Sequence, residues 1–181
     1  MKTDEDVRKA LEQARDSGHI KESTCTNACS WLKLSFAGVV IDGVRVGDFI
    51  GNLVETKQWQ ELNDGFFEVN RFGTAGVRGR LGIGTALFNK IILGLGVEAH
   101  ARYIEKAYAE NGKQLGRELA VILAYDSRRG SYDPETRGPG FLVREAASIY
   151  AAHGIRVYLF DSVAPTPELS FAITELDGIK P

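Results

Sequence analysis

The chain is organised around a glycine-rich stretch, Arg71-Phe72-Gly73-Thr74-Ala75-Gly76-Val77-Arg78-Gly79-Arg80-Leu81-Gly82-Ile83-Gly84. Its glycines let the backbone take positive φ and let another group approach the main chain closely. Its arginines offer planar forks of donors that suit phosphate. Two interpretations stay open from these residues alone. The stretch is either a loop that holds an anion with main-chain N–H groups and guanidinium together, or a hairpin whose arginines are only solvated.

Two named nucleotide-binding motifs are excluded here. A dinucleotide fingerprint needs Gly-x-Gly-x-x-Gly between a strand and a helix. The segment Gly82-Ile83-Gly84-Thr85-Ala86-Leu87 has leucine where the third glycine is required. A P-loop needs Gly-Lys-Ser or Gly-Lys-Thr, and the chain contains neither tripeptide. An anion bound at this stretch is therefore held in another way.

Composition limits the classes of partner. The length of 181 residues suits one domain, or one domain with an appendage. The 22 basic residues nearly balance 24 acidic ones, so neither nucleic acid nor an anionic membrane is an expected partner. The two cysteines, Cys25 and Cys29, have no second Cys or His pair at zinc spacing. Together with the lack of an apolar signal core, they indicate reduced thiols in a cytoplasmic protein.

The N-terminal part predicts helices around one hairpin. Thr3 is suited to cap a helix that runs to Arg15, and Gly18 follows as a stop. A second helix is predicted over residues 26–36, and apolar residues recur at helical spacing from residue 48 to 67. Between them, residues 39–46 favour a hairpin with an Asp-Gly turn at positions 42 and 43. We therefore predict a mainly helical extension over residues 1–66.

The remaining residues, 67–181, alternate strands with helices. Helices are predicted over 89–111, 139–153 and 167–176, the second with Phe141 and Leu142 facing inward. Strands are predicted over 118–125, whose continuous apolar run suits burial on both faces, and over 155–160. This rhythm predicts an α/β domain with a mixed sheet flanked by helices. Ligands gather at the carboxyl ends of strands in such sheets, which is where Asp126 and Arg128 lie.

Several motifs, in order, resemble one enzyme family. Phe72-Gly73-Thr74-Ala75-Gly76-Val77-Arg78-Gly79 resembles the opening motif of the α-D-phosphohexomutases, which include phosphoglucomutases and phosphomannomutases. Ala124-Tyr125-Asp126-Ser127-Arg128 resembles their Tyr-Asp-x-Arg turn, and residues 154–161 with Pro165-Thr166-Pro167 resemble the strand and loop that follow. The lead-in over residues 59–64 is similar to the N-terminal extension of a bacterial branch. The resemblance implies domain I of that family over residues 67–181, and it suggests a helix, not a hairpin, near residues 37–48.

The resemblance also implies a chemistry. Members of the family move a phosphate between the C1 and C6 oxygens of a hexose through a phosphorylated serine, with Mg²⁺ neutralising charge. Thr74, Arg78 and Arg128 are then expected to line the phosphoserine site. Asp126 is expected to orient the loop. An ion pair between Asp126 and Arg128 that only stabilises the loop is the alternative, and both roles can hold at once.

Two family segments are absent from the sequence. The Thr-Ala-Ser-His-Asn-Pro-like segment with the catalytic serine and the Asp-Gly-Asp-x-Asp-Arg-like metal loop are both missing. We therefore expect the N-terminal part of a phosphohexomutase, truncated before its nucleophile and inactive alone. Its partners would be the remaining domains, in cis or on a second chain, and a hexose phosphate. The alternatives are a non-catalytic sugar-phosphate-binding or regulatory module, and a fragment with no separate function.

Overall fold

The computed structural model describes residues 3–33, 36–71, 77–112 and 118–178. The chain divides into two compact units, Met1–Ile92 and Leu93–Pro181. This packing boundary differs from the predicted domain boundary after residue 66, which stays a prediction.

The first unit is built mainly of helices. They are α1 (Asp4–Asp16), α2 (Glu22–Lys33), α3 (Val46–Glu55) and α4 (Trp59–Phe66), with a 3₁₀ turn over Phe36–Gly38. Thr3 closes a capping box on α1, accepting the N–H of Asp6 while the Asp6 carboxylate accepts the N–H of Thr3. The core side chains include Leu11, Trp31, Ile50, Leu53, Leu62 and Phe66. The prediction that this part of the chain is mainly helical is confirmed.

The predicted hairpin is also confirmed. Strand β1 (Val40–Ile41) pairs antiparallel with β2 (Val44–Arg45). Asp42 and Gly43 form the turn with φ values of 49° and 81°. Two consecutive positive φ values are the mark of a type I′ turn, which Asp-Gly favours. Local turn chemistry therefore prevails over the helix that the family resemblance suggested here.

Helix α2 begins earlier than predicted. It starts at Glu22 instead of residue 26, and the described helix ends at Lys33. The added turn is held by a tertiary bond, because the buried Thr24 hydroxyl donates to Asn63 Oδ1 of α4 at 2.8 Å. The same Oδ1 accepts the Lys21 N–H at 3.1 Å. Residues 34 and 35 of the predicted helix lie outside the described residues.

The second unit carries the strand–helix alternation. Helix α5 (Lys90–Ala107) crosses the boundary between the units and continues into a π turn over Tyr108–Gly112. Then follow β3 (Ala120–Leu123), β4 (Tyr132–Asp133), β5 (Gly138–Pro139), α6 (Phe141–Ala152), β6 (Arg156–Leu159) and α7 (Thr166–Gly178). β3 and β6 are parallel, with Ala120 opposite Arg156 and Leu123 opposite Leu159. β4 and β5 form an antiparallel hairpin. The predicted α/β class is confirmed.

Two burial predictions for this unit are wrong. The β3 residues are half-buried or exposed instead of covered on both faces, since β6 is the one strand paired with β3 in the described part of the chain. Phe141 is 37% exposed. As the first residue of α6 it lies over the loop at Gly130, where a Cβ would be 3.2 Å from Phe141 Cε1. The core of this unit is Val97, Ala101, Ala146, Tyr150 and Ile155.

Candidate functional site

The first half of the glycine-rich stretch, Phe72–Gly76, lies outside the described residues, and Thr74 with it. Arg78 is described. Its carbonyl oxygen accepts a hydrogen bond from Asn70 Nδ2 at 3.1 Å, while its side chain is exposed. Asn70 also donates its backbone N–H to the Thr85 carbonyl at 2.7 Å. The main chain at Arg78 is thus anchored, and the guanidinium extends into solvent from a fixed base.

The second half of the stretch is packed against α4 through glycine. Gly84, at φ +150°, is so close to Gly65 that a Cβ on Gly84 would lie 2.2 Å from the Gly65 carbonyl oxygen. That carbonyl accepts the N–H of Ala86 at 3.0 Å. Gly84 is therefore required for close backbone packing. The glycine at this position therefore has a structural role.

Asn89 joins this loop to α5. Its Oδ1 accepts the N–H groups of Ile91 and Ile92, both at 3.1 Å, as a helix N-cap does. Its Nδ2 lies 2.9 Å from the Gly82 carbonyl oxygen and 3.0 Å from that of Gly84. The side chain is buried, so one amide satisfies both the helix start and the loop. Sequence reasoning placed residue 89 only as a helix boundary.

In the second unit, Asp126 and Arg128 form a two-sided contact after β3. Asp126 Oδ2 accepts Arg128 Nε at 2.7 Å and Nη2 at 2.6 Å. Asp126 Oδ1 accepts the backbone N–H of Arg128 at 3.0 Å. The Arg128 side-chain bond is the main cause that lowers the pKa of Asp126. The carboxylate therefore stays ionised, and it holds both the turn and the direction of the guanidinium.

The segment after Arg128 is fixed by two glycines. Gly130 has φ +86°, and a Cβ there would lie 2.7 Å from Leu142 Cδ1. A Cβ on Gly140 would lie 2.3 Å from the Gly130 carbonyl oxygen. The Arg128 carbonyl accepts the N–H groups of Ser131 and Tyr132, each at 3.0 Å. The loop that carries Arg128 is thus tied to the start of α6.

The sequence analysis names Tyr125 only as part of a motif and predicts no feature of its side chain. It precedes Asp126 and is buried, yet its hydroxyl has no hydrogen-bond partner among the described residues. Burial is the first cause that raises the pKa of this phenol, followed by the charge of Asp161. The Tyr125 carbonyl accepts the N–H of Ala164, which links the loop after β3 to the loop after β6. The sequence carries no signal for an unpaired hydroxyl.

The structure places the predicted site residues in different units. Arg78 belongs to Met1–Ile92 and Arg128 belongs to Leu93–Pro181. Their predicted meeting at one phosphate pocket stays a prediction, as does the role of Thr74.

The described residues do not fit a magnesium site. No group of three His, Cys, Asp or Glu side chains in the described ranges is close enough to hold a metal ion. Both Asp126 oxygens are already bound to Arg128. The Mg²⁺ that the resemblance implies therefore has no ligand set in these ranges. Across the same ranges, none of the helices has the length and apolar character to cross a membrane.

Comparisons with known proteins agree with the motifs. The family model described as phosphoglucomutase/phosphomannomutase, alpha/beta/alpha domain I, matches residues 69–180. The chain is 34% identical over 139 residues to a phosphoglucomutase of Staphylococcus epidermidis, covering 77% of this chain and 22% of that protein. It is 28% identical over 147 residues to a human phosphopentomutase, covering 81% of this chain and 22% of that protein. The chain thus spans about a fifth of these relatives' length. No solved structure gives a significant match.

Proposed function

Because the chain belongs to the phosphoglucomutase/phosphomannomutase family through its α/β/α domain I, we propose that its residues form part of the phosphate site of a phosphosugar mutase. The reaction is the transfer of a phosphoryl group between two oxygens of one sugar by way of a phosphoserine. The serine comes from outside these 181 residues, in cis or on a second chain. Thr74, Arg78 and Arg128 provide hydroxyl and cationic donors around it.

The observation that carries this proposal is the Asp126–Arg128 contact at the carboxyl end of β3. Asp126 binds the Nε and Nη2 side of the guanidinium. Among the described residues Nη1 has no hydrogen-bond partner, so its two N–H donors can meet a phosphate oxygen. The Arg128 side chain is 83% exposed, so a phosphate can reach it. An arginine that is oriented before the ligand arrives loses less freedom on binding, and orientation is what phosphoryl transfer requires of a protein.

Charge explains why two arginines would share one phosphoserine. A phosphomonoester carries nearly two negative charges at neutral pH, and that charge must be stabilised while the phosphoryl group moves. Arg78 extends from a main chain anchored by Asn70, and Arg128 from a turn anchored by Asp126. Both guanidiniums are exposed. Each therefore starts from a rigid base, as a preorganised electrostatic site needs.

The substrate is a sugar phosphate, and a hexose phosphate is our first expectation. The phosphopentomutase name of some relatives makes a pentose phosphate the competing one. The test is a coupled assay of the purified chain with Mg²⁺ and a sugar bisphosphate activator, using glucose 1-phosphate and ribose 1-phosphate in parallel. We expect no turnover by the chain alone with either substrate. Turnover above background by the pure chain would contradict the proposal that the nucleophile lies elsewhere.

Binding tests the pocket separately from catalysis. NMR titration of the chain with glucose 1-phosphate is expected to shift the backbone signals next to Arg78 and Arg128 together. Arg78→Gln and Arg128→Gln are each expected to weaken binding about tenfold. Arg102→Gln is the control, because Arg102 is an exposed α5 arginine bound to Glu98. If all three variants bind glucose 1-phosphate with equal affinity, neither Arg78 nor Arg128 contributes to the pocket. Tight binding with no partner protein would favour the non-catalytic binding module.

A further inference from the structure

A histidine between two carboxylates joins α6 to α5. His153 directly follows α6, and its ring nitrogens face two glutamates of α5. Nε2 lies 2.8 Å from Glu98 Oε2, and Nδ1 lies 3.0 Å from Glu105 Oε1. A neutral imidazole has one N–H donor and one acceptor nitrogen, so it can donate to only one of these carboxylates. Both contacts are hydrogen bonds only when the ring carries two protons.

From this geometry we propose that His153 is a proton-dependent clasp that holds the C-terminal end of α6 against α5. When the ring is protonated, the two carboxylates bind it from opposite sides. When it loses a proton, one carboxylate oxygen faces a nitrogen lone pair, and that contact becomes repulsive. The proposal is independent of the phosphosugar chemistry, since none of its residues belongs to the proposed phosphate site.

The local charges favour the protonated state. The hydrogen bond to Glu98 and then that to Glu105 raise the pKa of His153. The pKa of Glu98 is lowered, first by His153 and then by Arg102, whose Nε donates to Glu98 Oε1 at 2.7 Å. The ring also lies at the C-terminal end of a helix, where the dipole stabilises a cation. One cation between two anions, with Arg102 behind one of them, keeps the cluster close to neutral.

Two other charged groups near α6 are paired elsewhere, and the α5 histidine, His100, contacts the Tyr150 hydroxyl of α6 through Nδ1 at 2.7 Å. Arg156 of β6 binds Glu118, which precedes β3, at 2.9 Å. Arg144, in the first half of α6, lies 3.5 Å from Asp133 of β4. His153 is therefore the titratable group on which the α5 carboxylates converge in the described part of this unit. Its side chain is 19% exposed, so a proton can still exchange with solvent.

The clasp also reaches the parallel strand pair. Gly154 follows His153 at φ +69° and reverses the chain, and Ile155 then enters the core. The Ile155 N–H donates to the Tyr150 carbonyl at 3.1 Å, and β6 begins at the next residue. Loosening the end of α6 therefore loosens the start of β6. The protonation state of His153 therefore sets how tightly the C-terminal end of α6 and the start of β6 are held.

The sign of the pH effect follows from the raised pKa. His153 stabilises the folded state fully below its unfolded pKa of about 6.5, and this contribution is lost as the pH rises through the higher folded pKa. The wild-type chain is therefore expected to lose thermal stability between neutral and alkaline pH relative to His153→Gln. The difference between the two Tm values should be largest near pH 6 and vanish at alkaline pH.

NMR of the His153 ring gives the decisive test on the full 181-residue chain. Imidazole ¹⁵N shifts at pH 6.5 are expected to show protons on both nitrogens, with a midpoint above 6.5. The double variant Glu98→Gln, Glu105→Gln should lower the midpoint, because the two carboxylates are the causes that raise the pKa of His153. The control is Glu145→Gln, an exposed carboxylate on α6 itself, which should leave the midpoint unchanged.

A His153 midpoint at or below 6.5 would overturn the proposal, as would a midpoint that does not respond to loss of the two carboxylates. If the His153→Gln variant does not fold, the ring titration of the wild-type chain still tests the proposal. A Tm profile of His153→Gln that parallels the wild type across the whole pH range would also overturn it.

Discussion

Gly84 and Gly65 lie in direct backbone contact, with the Cα of Gly84 facing the carbonyl of Gly65. A Cβ on Gly84 would lie 2.2 Å from that oxygen at a backbone φ of +150°. Gly84→Ala is therefore expected to separate the loop from α4 and to destabilise the chain by about 3 kcal/mol or more. Denaturant unfolding followed by circular dichroism measures this change.

Gly96→Ala is the matched control for this glycine. Gly96 lies in α5 with nothing within 4 Å of an added Cβ. The same substitution there should stabilise the chain by about 0.5–1 kcal/mol through helix propensity. Equal effects at positions 84 and 96 would show that the Gly84–Gly65 contact does not form in solution.

Asn89 supports the second prediction. Asn89→Ala removes the cap from Ile91 and Ile92 and leaves the loop carbonyls that Nδ2 serves unpaired in a buried site. We expect a loss of about 2–3 kcal/mol, from the cap and the buried carbonyls together. Asn89→Ser keeps a cap acceptor but no amide donors, so it should fall between alanine and wild type. Stabilities in any other order would contradict the two-sided role of this amide.

The Asp126–Arg128 contact predicts a pH effect in the acid range. Arg128 lowers the pKa of Asp126, so the pair stabilises the fold above the unfolded pKa of about 3.9 and less as the pH falls through the lower folded pKa. The pair is solvent-exposed, so its contribution should stay below about 1 kcal/mol. Carboxyl ¹³C titration should show the Asp126 midpoint rising in Arg128→Gln. It should not move in Arg102→Gln, and a midpoint unchanged in both variants would contradict the contact.

The predictable features of this chain are those that depend on neighbouring residues. The Asp42-Gly43 turn and the N-cap at Thr3 are both predictable from local sequence, because their partners lie within three residues. Apolar periodicity likewise predicts the order of the longer helices with β3 and β6, but it does not predict the short β4–β5 hairpin. The Asp126–Arg128 ion pair was foreseen as one of two roles, and its two-residue spacing again made it local.

Features that depend on distant partners were not predictable. The contact of Gly84 with Gly65 joins a loop to a helix nineteen positions earlier. No pattern in the sequence of either segment predicts this contact. The early start of α2 depends on a bond from Thr24 to Asn63, 39 residues away. Tyr125 belongs to a recognised motif, but the isolation of its hydroxyl follows from packing alone. The meeting of Arg78 with Arg128 stays a prediction.

The two cysteines of α2 support the last prediction. Burial is the main cause that raises the pKa of Cys29 to about 12 and that raises the pKa of Cys25. At pH 8 the Cys29 thiolate fraction is then on the order of a thousandfold smaller than that of a free thiol, and thiolate is the reactive form. Alkylation of both thiols in the native chain should therefore be at least about a hundredfold slower than in guanidinium chloride. Cys25→Ala should leave Cys29 slow, because burial outweighs the charge of its neighbour. Rapid labelling of one thiol per native chain would show that α2 does not pack as described.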